Sequence, residues 1–597
     1  MTTTTTVPIF AAKGGSFLIE TRSPSEIFTP EDLNEEQRQV AATAERFARE
    51  EIAPATTAVE CHEPGAMVGL MRKAAELGFM SIEIPEEYGG VGMDKITSTL
   101  ITDHLSALAS FSTAMGAHVG IGTLPLVWYG TPEQKRRYLP KLATCEWIAA
   151  YALSEASSGS DAMNIRARAL LSSDGGSYTL NGEKQWITNG GTANLYTVFA
   201  KIDGEKFSAF LVERDTPGLS VGAEEHKLGI RGSSTCPLVL QDCKVPAANL
   251  LGEIGKGHHI AFNVLNIGRF KLAVSCVGGA RHALAEMIRY AKERRAFGKA
   301  ISELGLIQRK FSRSATQLFA AESMVYRTVG MIEASLGELG AGASSQETQK
   351  RIEEYAVECS ILKVYASEML SLVTDELVAT MGGYGFVEDY PAERQYRDAR
   401  INRIFEGTNE INRLIITGWM MKRAMSGQLP LMKAIQQVMN EVTEPPSFDS
   451  GSEMGGVLAR EFQVLAAAKK ITLFAAGVAS QRFNTGLQDQ QEVMGDLADM
   501  IAQVYALDSA LVRARKIAEA RKSTAEVAAA MAGLLADETM GFAEQAARRV
   551  LAACAEGDML RTQLAILRRL ARSTPANAVE LSRIIARHCI QAEKYLL

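Results

Sequence analysis

A block of β-type sequence interrupts a chain that is otherwise helical in pattern, and this order limits the possible folds most strongly. Between about residues 151 and 250, the dipeptides Asn181-Gly182, Asn189-Gly190 and Asp203-Gly204 are of the type found in hairpin turns. Aromatic and β-branched residues surround them, as in the run 207–212. The block is therefore predicted to form a small antiparallel barrel or sandwich.

Helical patterns lie on both sides of this block. On its N-terminal side, Thr29 is a suitable helix cap and Pro30 suits a first helical turn. On its C-terminal side, apolar residues recur every three or four positions between Leu362 and Leu377. That helix is predicted to end at Gly382-Gly383, because glycine pairs interrupt helices.

These changes of pattern divide the chain into six predicted parts and give an α+β multidomain fold class. The parts are an N-terminal arm (1–28), an N-terminal helical domain (29–150), a middle antiparallel β barrel or sandwich (151–252), a C-terminal four-helix bundle (253–430), a linker (431–456) and an additional C-terminal helical domain (457–597). The proline- and glycine-containing run 444–452 marks the linker.

Composition excludes several classes of protein. The 63 basic and 69 acidic side chains leave a net charge of −6, whereas nucleic-acid-binding proteins usually carry a basic excess. Eight cysteines and eight histidines are scattered without ligand spacing, so we expect no metal site and a reducing compartment. The first residues do not resemble a secretory signal, and the apolar stretch 526–537 is too short to span a bilayer. We expect a soluble, cytoplasmic protein.

Five sequence segments make the helical–β–helical order specific. They are YALSEASSGSD (151–161), KQWITNG (184–190), KLGIRGSSTCPLVLQDCKVPAANLLGE (227–253), RRAFGK (294–299) and RIFEGTNE (403–410). Together and in this order they resemble the acyl-CoA dehydrogenase family of flavoproteins, over about residues 30–425. The resemblance implies the family's three-domain order, a bound FAD and the oxidation of acyl-CoA to trans-2-enoyl-CoA.

The resemblance assigns the catalytic base to Glu406. The α-proton of an acyl-CoA thioester is weakly acidic, so its removal needs a positioned carboxylate and stabilisation of the enolate-like oxygen. Beside apolar Phe405 and a flavin, the carboxyl of Glu406 should have a raised pKa. Some family members carry the base just before the Arg of an LDxxR-like segment, but Gly268 stands at that position here. The alternative interpretation is that Glu406 caps the helix that follows Gly407 and Thr408.

The resemblance also implies cofactor and substrate contacts. The implied FAD-binding residues are Leu153 and Ser154 at the flavin edge, Trp186 over the ring, Thr188 near N5, Arg294 and Phe297 toward the FAD of a partner subunit, Gly382 and Gly383 at the pyrophosphate, and Thr408 on the phosphate side. The implied substrate-binding residues are Ser160, Arg269 and Phe405. Alternatives remain open: Trp186 as a core aromatic, Arg269 in a structural salt bridge and the glycine pair as a helix end.

The region after residue 430 points to one branch of the family. This extension, with the segments 266–270 and 305–308, resembles the very-long-chain acyl-CoA dehydrogenases. The resemblance implies a homodimer that uses long-chain acyl-CoA in fatty-acid β-oxidation and passes electrons to an electron-transferring flavoprotein. The linker lacks a basic amphipathic face, so membrane contact is expected to be peripheral at most. Two other functions remain open, an oxygen-using flavin oxidase on the same fold and a non-catalytic assembly scaffold.

Overall fold

The computed structural model describes residues 11–340, 344–443 and 456–595, and its elements follow the predicted helical–β–helical order. The N-terminal helices are α1 (Glu35–Phe47), α2 (Ala53–Glu60), α3 (Ala66–Glu76), α4 (Lys95–His104), α5 (Ala109–Gly116), α6 (Leu124–Tyr129) and α7 (Pro132–Ala143). A π-helical stretch, Ala117–Gly122, continues α5 directly. Residues of α4, α5 and this stretch line a cavity of the candidate site.

The entry to the helical domain differs from the prediction. Thr29 and Pro30 open only a 3₁₀ turn, Pro30–Asp32, in which the Thr29 N–H donates to the Asp32 carboxylate. The chain then leaves the helical conformation at Leu33, and a second cap is needed. Asn34 supplies it, because its side chain accepts a hydrogen bond of 2.8 Å from the Gln37 N–H.

The predicted N-terminal arm is packed against the body of the protein from residue 11 onward. Phe17 is 3 % exposed, and its ring centroid lies 4.5 Å from that of Tyr505 in the additional domain. Short 3₁₀ turns at Ser16–Leu18 and Pro24–Glu26 shape this segment. Burial of its apolar side chains therefore fixes the part of the predicted arm that follows residue 10.

The middle domain is an eight-stranded, mostly antiparallel sheet. Its strands are β1 (Ala149–Ala152), β2 (Arg168–Leu171), β3 (Ser177–Thr188), β4 (Leu195–Ile202), β5 (Lys206–Glu213), β6 (Leu219–Val221), β7 (Thr235–Pro246) and β8 (Leu250–Leu251). The order is β6-β7-β3-β2-β4-β5-β8, and β1 pairs with β4. The β1–β4 and β2–β4 pairs are parallel, so the predicted antiparallel character holds for the remaining pairs.

The three hairpin-type dipeptides have different roles. Asp203-Gly204 forms the β4–β5 turn, with φ angles of 56° and 78°. Asn189-Gly190 lies just beyond the end of β3, and Asn189 donates to the carbonyl oxygen of Ala114. Asn181-Gly182, however, lies inside β3 at a bulge opposite β7. A Cβ at Gly182 would stand 2.8 Å from Ala167, so this glycine permits a close approach rather than a turn.

The C-terminal bundle follows the sheet. Its elements are α8 (Gly257–Glu293), β9 (Arg295–Ala296), β10 (Lys299–Ala300), α9 (Gly305–Gly337), α10 (Ser345–Glu353), α11 (Ala356–Met381), α12 (Gly383–Phe386), α13 (Pro391–Ala399) and α14 (Asn409–Met425). By length and composition, α8 and the stretch 459–489 could each span a bilayer, but 67 % and 72 % of their apolar windows are buried inside the protein. Both are therefore core helices of this fold.

The additional domain contains α15 (Leu431–Thr443), α16 (Ala459–Phe483), α17 (Gln491–Glu519), α18 (Ala525–Cys554), α19 (Gly557–Leu570) and α20 (Ala578–Ala592). The prediction of a linker over 431–456 is wrong for its first half, which is helix α15. Leu431, Ile435, Val438 and Val442 recur with helical spacing and pack on the core. The remainder, 444–455, lies outside the described residues.

Buried ion pairs join the additional domain to the bundle. Arg327 on α9 lies 2.9 Å from the carboxylate of Asp508 on α17. Arg513, also on α17, lies 3.0 Å from Glu31 and 2.6 Å from Glu322 on α9. All five side chains are less than one-tenth exposed, so the charges compensate one another away from water.

Candidate active site

A cavity of about 540 Å³ lies where the β domain meets the C-terminal bundle. Its wall combines the loop after β1, the end of β3, one face of α8 and the loop before α14. The predicted site residues that line it are Leu153, Ser154, Ser160, Trp186, Thr188, Arg269, Phe405 and Glu406. Segments as far apart in sequence as Leu153 and Glu406 thus converge, as their resemblance implied.

The loop before α14 holds the backbone of Glu406 in a left-handed conformation, with φ at 58°. The side chain of Asn412 donates to the carbonyl oxygens of Gly407 and Thr408, at 2.9 and 3.0 Å. Arg269 donates from Nε to the carbonyl oxygen of Glu406 at 3.3 Å. A non-glycine residue in this conformation is uncommon, and such strain concentrates at functional sites.

The carboxylate of Glu406 is buried, and its Oε2 has no hydrogen-bond partner among the described residues. Burial raises the pKa of Glu406 to about 7, although the cations of Arg269 and Lys363 act in the opposite direction. The helix-cap role falls instead to Thr408, whose Oγ1 accepts a hydrogen bond from the Ile411 N–H at 3.3 Å. The geometry therefore leaves the Glu406 carboxylate free to receive a proton.

A buried ion pair that the sequence did not suggest supports the part of the cavity wall formed by Leu153 and Ser154. Lys184 on β3 lies 2.7 Å from Glu155 and donates to the carbonyl oxygen of Leu153 at 3.1 Å. Burial lowers the pKa of Lys184 to about 8, and Glu155 opposes this change. Glu155 also accepts hydrogen bonds from the N–H groups of Arg166 and Ala167. The pair fixes the loop that carries Leu153 and Ser154.

Trp186 stands at a second irregularity of β3, between the paired positions of Lys184 and Ile187. Its φ is 57° and its side chain is 56 % exposed, on the cavity wall. The exposure argues against the alternative of a core aromatic. Thr188 ends the same strand, where it pairs with Thr235 of β7.

A second, smaller cavity of about 100 Å³ adjoins the first and shares Ile121, Thr188, Phe405 and Glu406 with it. It runs between α8 and the helical segment formed by α5 and its π-helical continuation. Its remaining lining residues are Thr102, Ser112, Thr113, Gly116, Ala117, Val119, Gly120, Gly268, Lys271, Leu272, Ser275 and Asn402. Glu406 therefore lies at the junction of two cavities.

Five predicted site residues lie outside both cavities. The guanidinium of Arg294 stacks over the ring of Tyr384, 5.8 Å from its centroid, and so lies near Gly382 and Gly383. No atom lies within 4 Å of a Cβ built at either glycine, and Gly382 also ends α11. Phe297, at the β9–β10 turn, is 91 % exposed. Thr408 begins α14. Arg294 and the glycine pair thus share a surface rather than a cavity of this chain.

Comparison with known families accounts for most of the chain. Residues 34–146, 150–243 and 255–421 match the N-terminal, middle and C-terminal domains of acyl-CoA dehydrogenase, and residues 467–569 match a further acyl-CoA dehydrogenase C-terminal domain. The chain belongs to the acyl-CoA dehydrogenase family. The predicted family, fold class, enzyme class and FAD cofactor are thereby confirmed.

Individual relatives agree with this assignment. A probable acyl-CoA dehydrogenase of Bacillus subtilis is 46 % identical over 98 % of both chains. The human mitochondrial very long-chain specific acyl-CoA dehydrogenase is 35 % identical over 82 % of this chain and 76 % of its own. The crystal structure of an acyl-CoA dehydrogenase complexed with FAD from Bacillus anthracis superposes with a TM-score of 0.95 at 45 % identity, covering 98 % of this chain and all of the other.

The donor groups of this acyl-CoA dehydrogenase fit the FAD that its family binds. The lining of the first cavity includes Ser154 and Thr188 with their hydroxyls, the indole of Trp186 and the loop at Leu153. Glu406, whose Oε2 has no hydrogen-bond partner among the described residues, lines the same cavity. Hydroxyl and backbone groups beside an aromatic side chain suit a heteroaromatic ring system.

Proposed function

We propose that this acyl-CoA dehydrogenase acts on long-chain acyl-CoA, with Glu406 as the base that removes the α-proton. The observation that carries the proposal is the buried carboxylate of Glu406, which has one unpartnered oxygen and lies at the junction of the two cavities. A pKa near 7 allows this group to be a carboxylate at neutral pH and still accept a proton readily.

The residues around Glu406 have separate tasks in this reaction. Glu406 accepts the α-proton on its carboxylate, while Arg269 and Asn412 hold the backbone of its loop. Leu153, Ser154, Trp186 and Thr188 would hold the FAD, which when bound would supply the acceptor for the hydride of the β-carbon. Phe405 and Ile121 line both cavities and keep water from the reacting carbons.

Two glycines support the preference for long acyl chains. Gly116 and Gly120 lie one helical turn apart on the wall of the second cavity. A Cβ built at Gly116 would meet no atom within 4 Å, and one at Gly120 would meet only Lys271 Cδ at 3.9 Å. The missing side chains leave room for an extended alkyl chain. Similarity to a relative named for very long chains agrees with this reading.

Dimer formation and electron transfer complete the proposal. Arg294, Phe297, Gly382 and Gly383 are accessible on this chain, which suits contacts with the FAD of a second copy. We propose an electron-transferring flavoprotein as the acceptor and fatty-acid β-oxidation as the process. The eight free cysteines support a reducing compartment, the cytoplasm.

Anaerobic reduction of the holoenzyme by a series of acyl-CoA thioesters of increasing length tests the proposal. Bleaching of the flavin absorbance should be fastest with long chains, and an electron-transferring flavoprotein should restore the colour faster than oxygen does. Rapid reoxidation by oxygen would favour the oxidase. Flavin that no acyl-CoA reduces would favour a non-catalytic role.

A further inference from the structure

The second cavity ends at a buried ion pair instead of an apolar wall. The Nζ of Lys271 lies 2.5 Å from Glu83 Oε1, and these side chains are 11 % and 7 % exposed. Glu83 also pairs with Lys95 through its other oxygen and accepts a hydrogen bond of 2.8 Å from Ser98. One carboxylate therefore holds two ammonium groups, and only one of them, Lys271, lines the cavity.

The position of Lys271 on α8 places it farther into the second cavity than the loop that carries Glu406. Gly268, Lys271, Leu272 and Ser275 share one helix face, because they are spaced by three or four residues. Gly268 lies beside Glu406, and Lys271 follows one turn further along, at a rise of about 5 Å. The Cδ of Lys271 then reaches the wall at Gly120. The lysine side chain thus crosses the cavity from α8 to the opposite helix.

A third cavity, of about 20 Å³, lies beyond the side chain of Lys271. Thr102, Val119 and Lys271 line both the second and the third cavity. Most of its lining is apolar and includes Phe79, Met80, Ile82, Ile101, Met115 and Leu124, but Glu83 and Ser98 line it as well. The space on the far side of Lys271 is small, so an alkyl chain could extend in this direction only where the lysine side chain now lies.

We propose that the Lys271–Glu83 pair sets the greatest length of acyl chain that this enzyme accepts. A methyl terminus that advanced past Gly120 would have to displace an ammonium from its carboxylate, where both side chains are largely buried. That displacement is unfavourable, because a buried charge separated from its partner loses both hydration and Coulomb energy. Chains that end before Lys271 meet no such barrier. The inference rests on the proposed function, since it takes the second cavity as the acyl site.

Lys95 provides a matched control within the same cluster. It pairs with the same carboxylate but lines neither the second nor the third cavity. Replacing either lysine leaves Glu83 with one cation, so neither variant creates an unpaired buried charge. The two substitutions therefore perturb the ion cluster similarly, while only the change at Lys271 alters the acyl path.

The experiment compares Lys271→Ala and Lys95→Ala with the wild-type holoenzyme over a series of saturated acyl-CoA thioesters. The readout is the ratio of kcat/KM between each chain and the next longer one. The wild type should show a drop at a defined length. In Lys271→Ala, the first chains beyond that length should gain about tenfold or more, as each methylene accommodated in an apolar pocket is worth roughly that factor. Lys95→Ala should keep the wild-type limit.

The outcomes distinguish failure of this inference from failure of the proposed function. An unchanged length limit in Lys271→Ala, or an equal shift in both variants, overturns the inference while the proposed function stands. A wild type whose flavin no acyl-CoA reduces overturns the proposed function and the inference with it. If Lys271→Ala does not retain FAD, Lys271→Met replaces it, because methionine cannot pair with Glu83 and must move the limit in the same direction.

Discussion

Gly268 lies directly against the carboxylate of Glu406: a Cβ built at Gly268 would stand 2.6 Å from Glu406 Oε2 and 2.8 Å from its Cδ. No real side chain tolerates that distance, so the absence of a Cβ on α8 creates the space that the carboxylate fills. The position that carries the base in some other family members thus adjoins Glu406, the base proposed here. The two positions compete for one volume.

Glu406→Gln should keep the shape of the site and lose the proton acceptor. We expect the rate of flavin reduction to fall by about 10²–10⁴-fold, the usual contribution of a general base, with FAD content unchanged. Stopped-flow absorbance under anaerobic conditions measures the rate. Glu410→Gln is the matched control, since Glu410 lies four residues away in the first, exposed turn of α14. Reduction of Glu406→Gln at the wild-type rate would refute the assignment.

Activity with the base moved from position 406 to position 268 should depend on which residue replaces Glu406. Gly268→Glu with Glu406→Gly should recover part of the activity that Glu406→Gly alone loses, because the left-handed backbone at 406 suits glycine and the volume becomes free. Gly268→Glu with Glu406→Gln should recover less, since the side chain at 406 must then move away to make room for the new carboxylate. Enzyme activity and FAD content of the two double variants distinguish these results.

The raised pKa of Glu406 links stability to pH. Because burial favours the protonated form, folding loses stability as the pH rises from the unfolded value near 4.5 to about 7, and the loss stays constant above that. At pH 8, the free energy of unfolding of Glu406→Gln should therefore exceed that of the wild type by about 1–3 kcal/mol. At pH 4, the two proteins should be equally stable. Denaturation of the FAD-free protein by urea at both pH values measures this. In the wild type, kcat/KM should rise with pH through about 7, as the carboxylate forms.

Gly116→Leu should shorten the acyl chains that the enzyme accepts. The new side chain enters the second cavity without backbone strain, as nothing lies within 4 Å of a Cβ there. Long chains should lose about tenfold or more in kcat/KM, while the shortest chains are nearly unaffected. Gly541→Leu is the control, because Gly541 is exposed on α18 and also has free space around its Cβ. Equal loss with all chain lengths would place the acyl chain elsewhere.

Lys184→Met should destabilise the protein and weaken its hold on FAD. Without the ammonium, the carboxylate of Glu155 stays buried with only backbone donors, and breaking such a pair costs about 3–5 kcal/mol. The loop carrying Leu153 loses its hydrogen bond as well. Urea denaturation and the FAD-to-protein ratio measure both effects. Lys206→Met is the control, since its exposed pair with Asp203 is worth less than about 1 kcal/mol.

The sequence predicted the parts of the fold that local patterns determine. The helical–β–helical order and the Asp203-Gly204 turn depend on short-range periodicity and turn chemistry. Asn181-Gly182 is also a hairpin-type dipeptide, but Gly182 permits the close approach of Ala167 instead of forming a turn. That approach is visible only in the folded sheet. Helix α15 was predictable from the spacing of Leu431 and Ile435, but the proline-containing run after it obscured that pattern.

The candidate site also contains some features that sequence motifs predict and others that they do not. Glu406, Trp186 and Ser154 stand in motifs that a sequence shows directly, and the cavity brings them together. Lys184 and Glu155 stand in two of those motifs, but their pairing was not predicted, and Lys271 lies outside the motifs. Glu155 is 29 residues from Lys184, and the Lys271–Glu83 pair joins α8 to a loop of the N-terminal domain. A single sequence contains no signal for such pairs.

Arg513, Glu31 and Glu322 come from three separate regions of the chain and meet in one buried cluster. Glu322 also pairs with Arg281 on α8 at 2.6 Å, so it keeps a cation when Arg513 is lost, whereas Glu31 has no other ion pair among the described residues. Changes at Arg513 should therefore be tolerated mainly together with changes at Glu31, and these two positions should covary among relatives that share the additional domain. In relatives without it, the position equivalent to Glu31 should have drifted toward uncharged residues or acquired a different cation, while Glu322 keeps its charge.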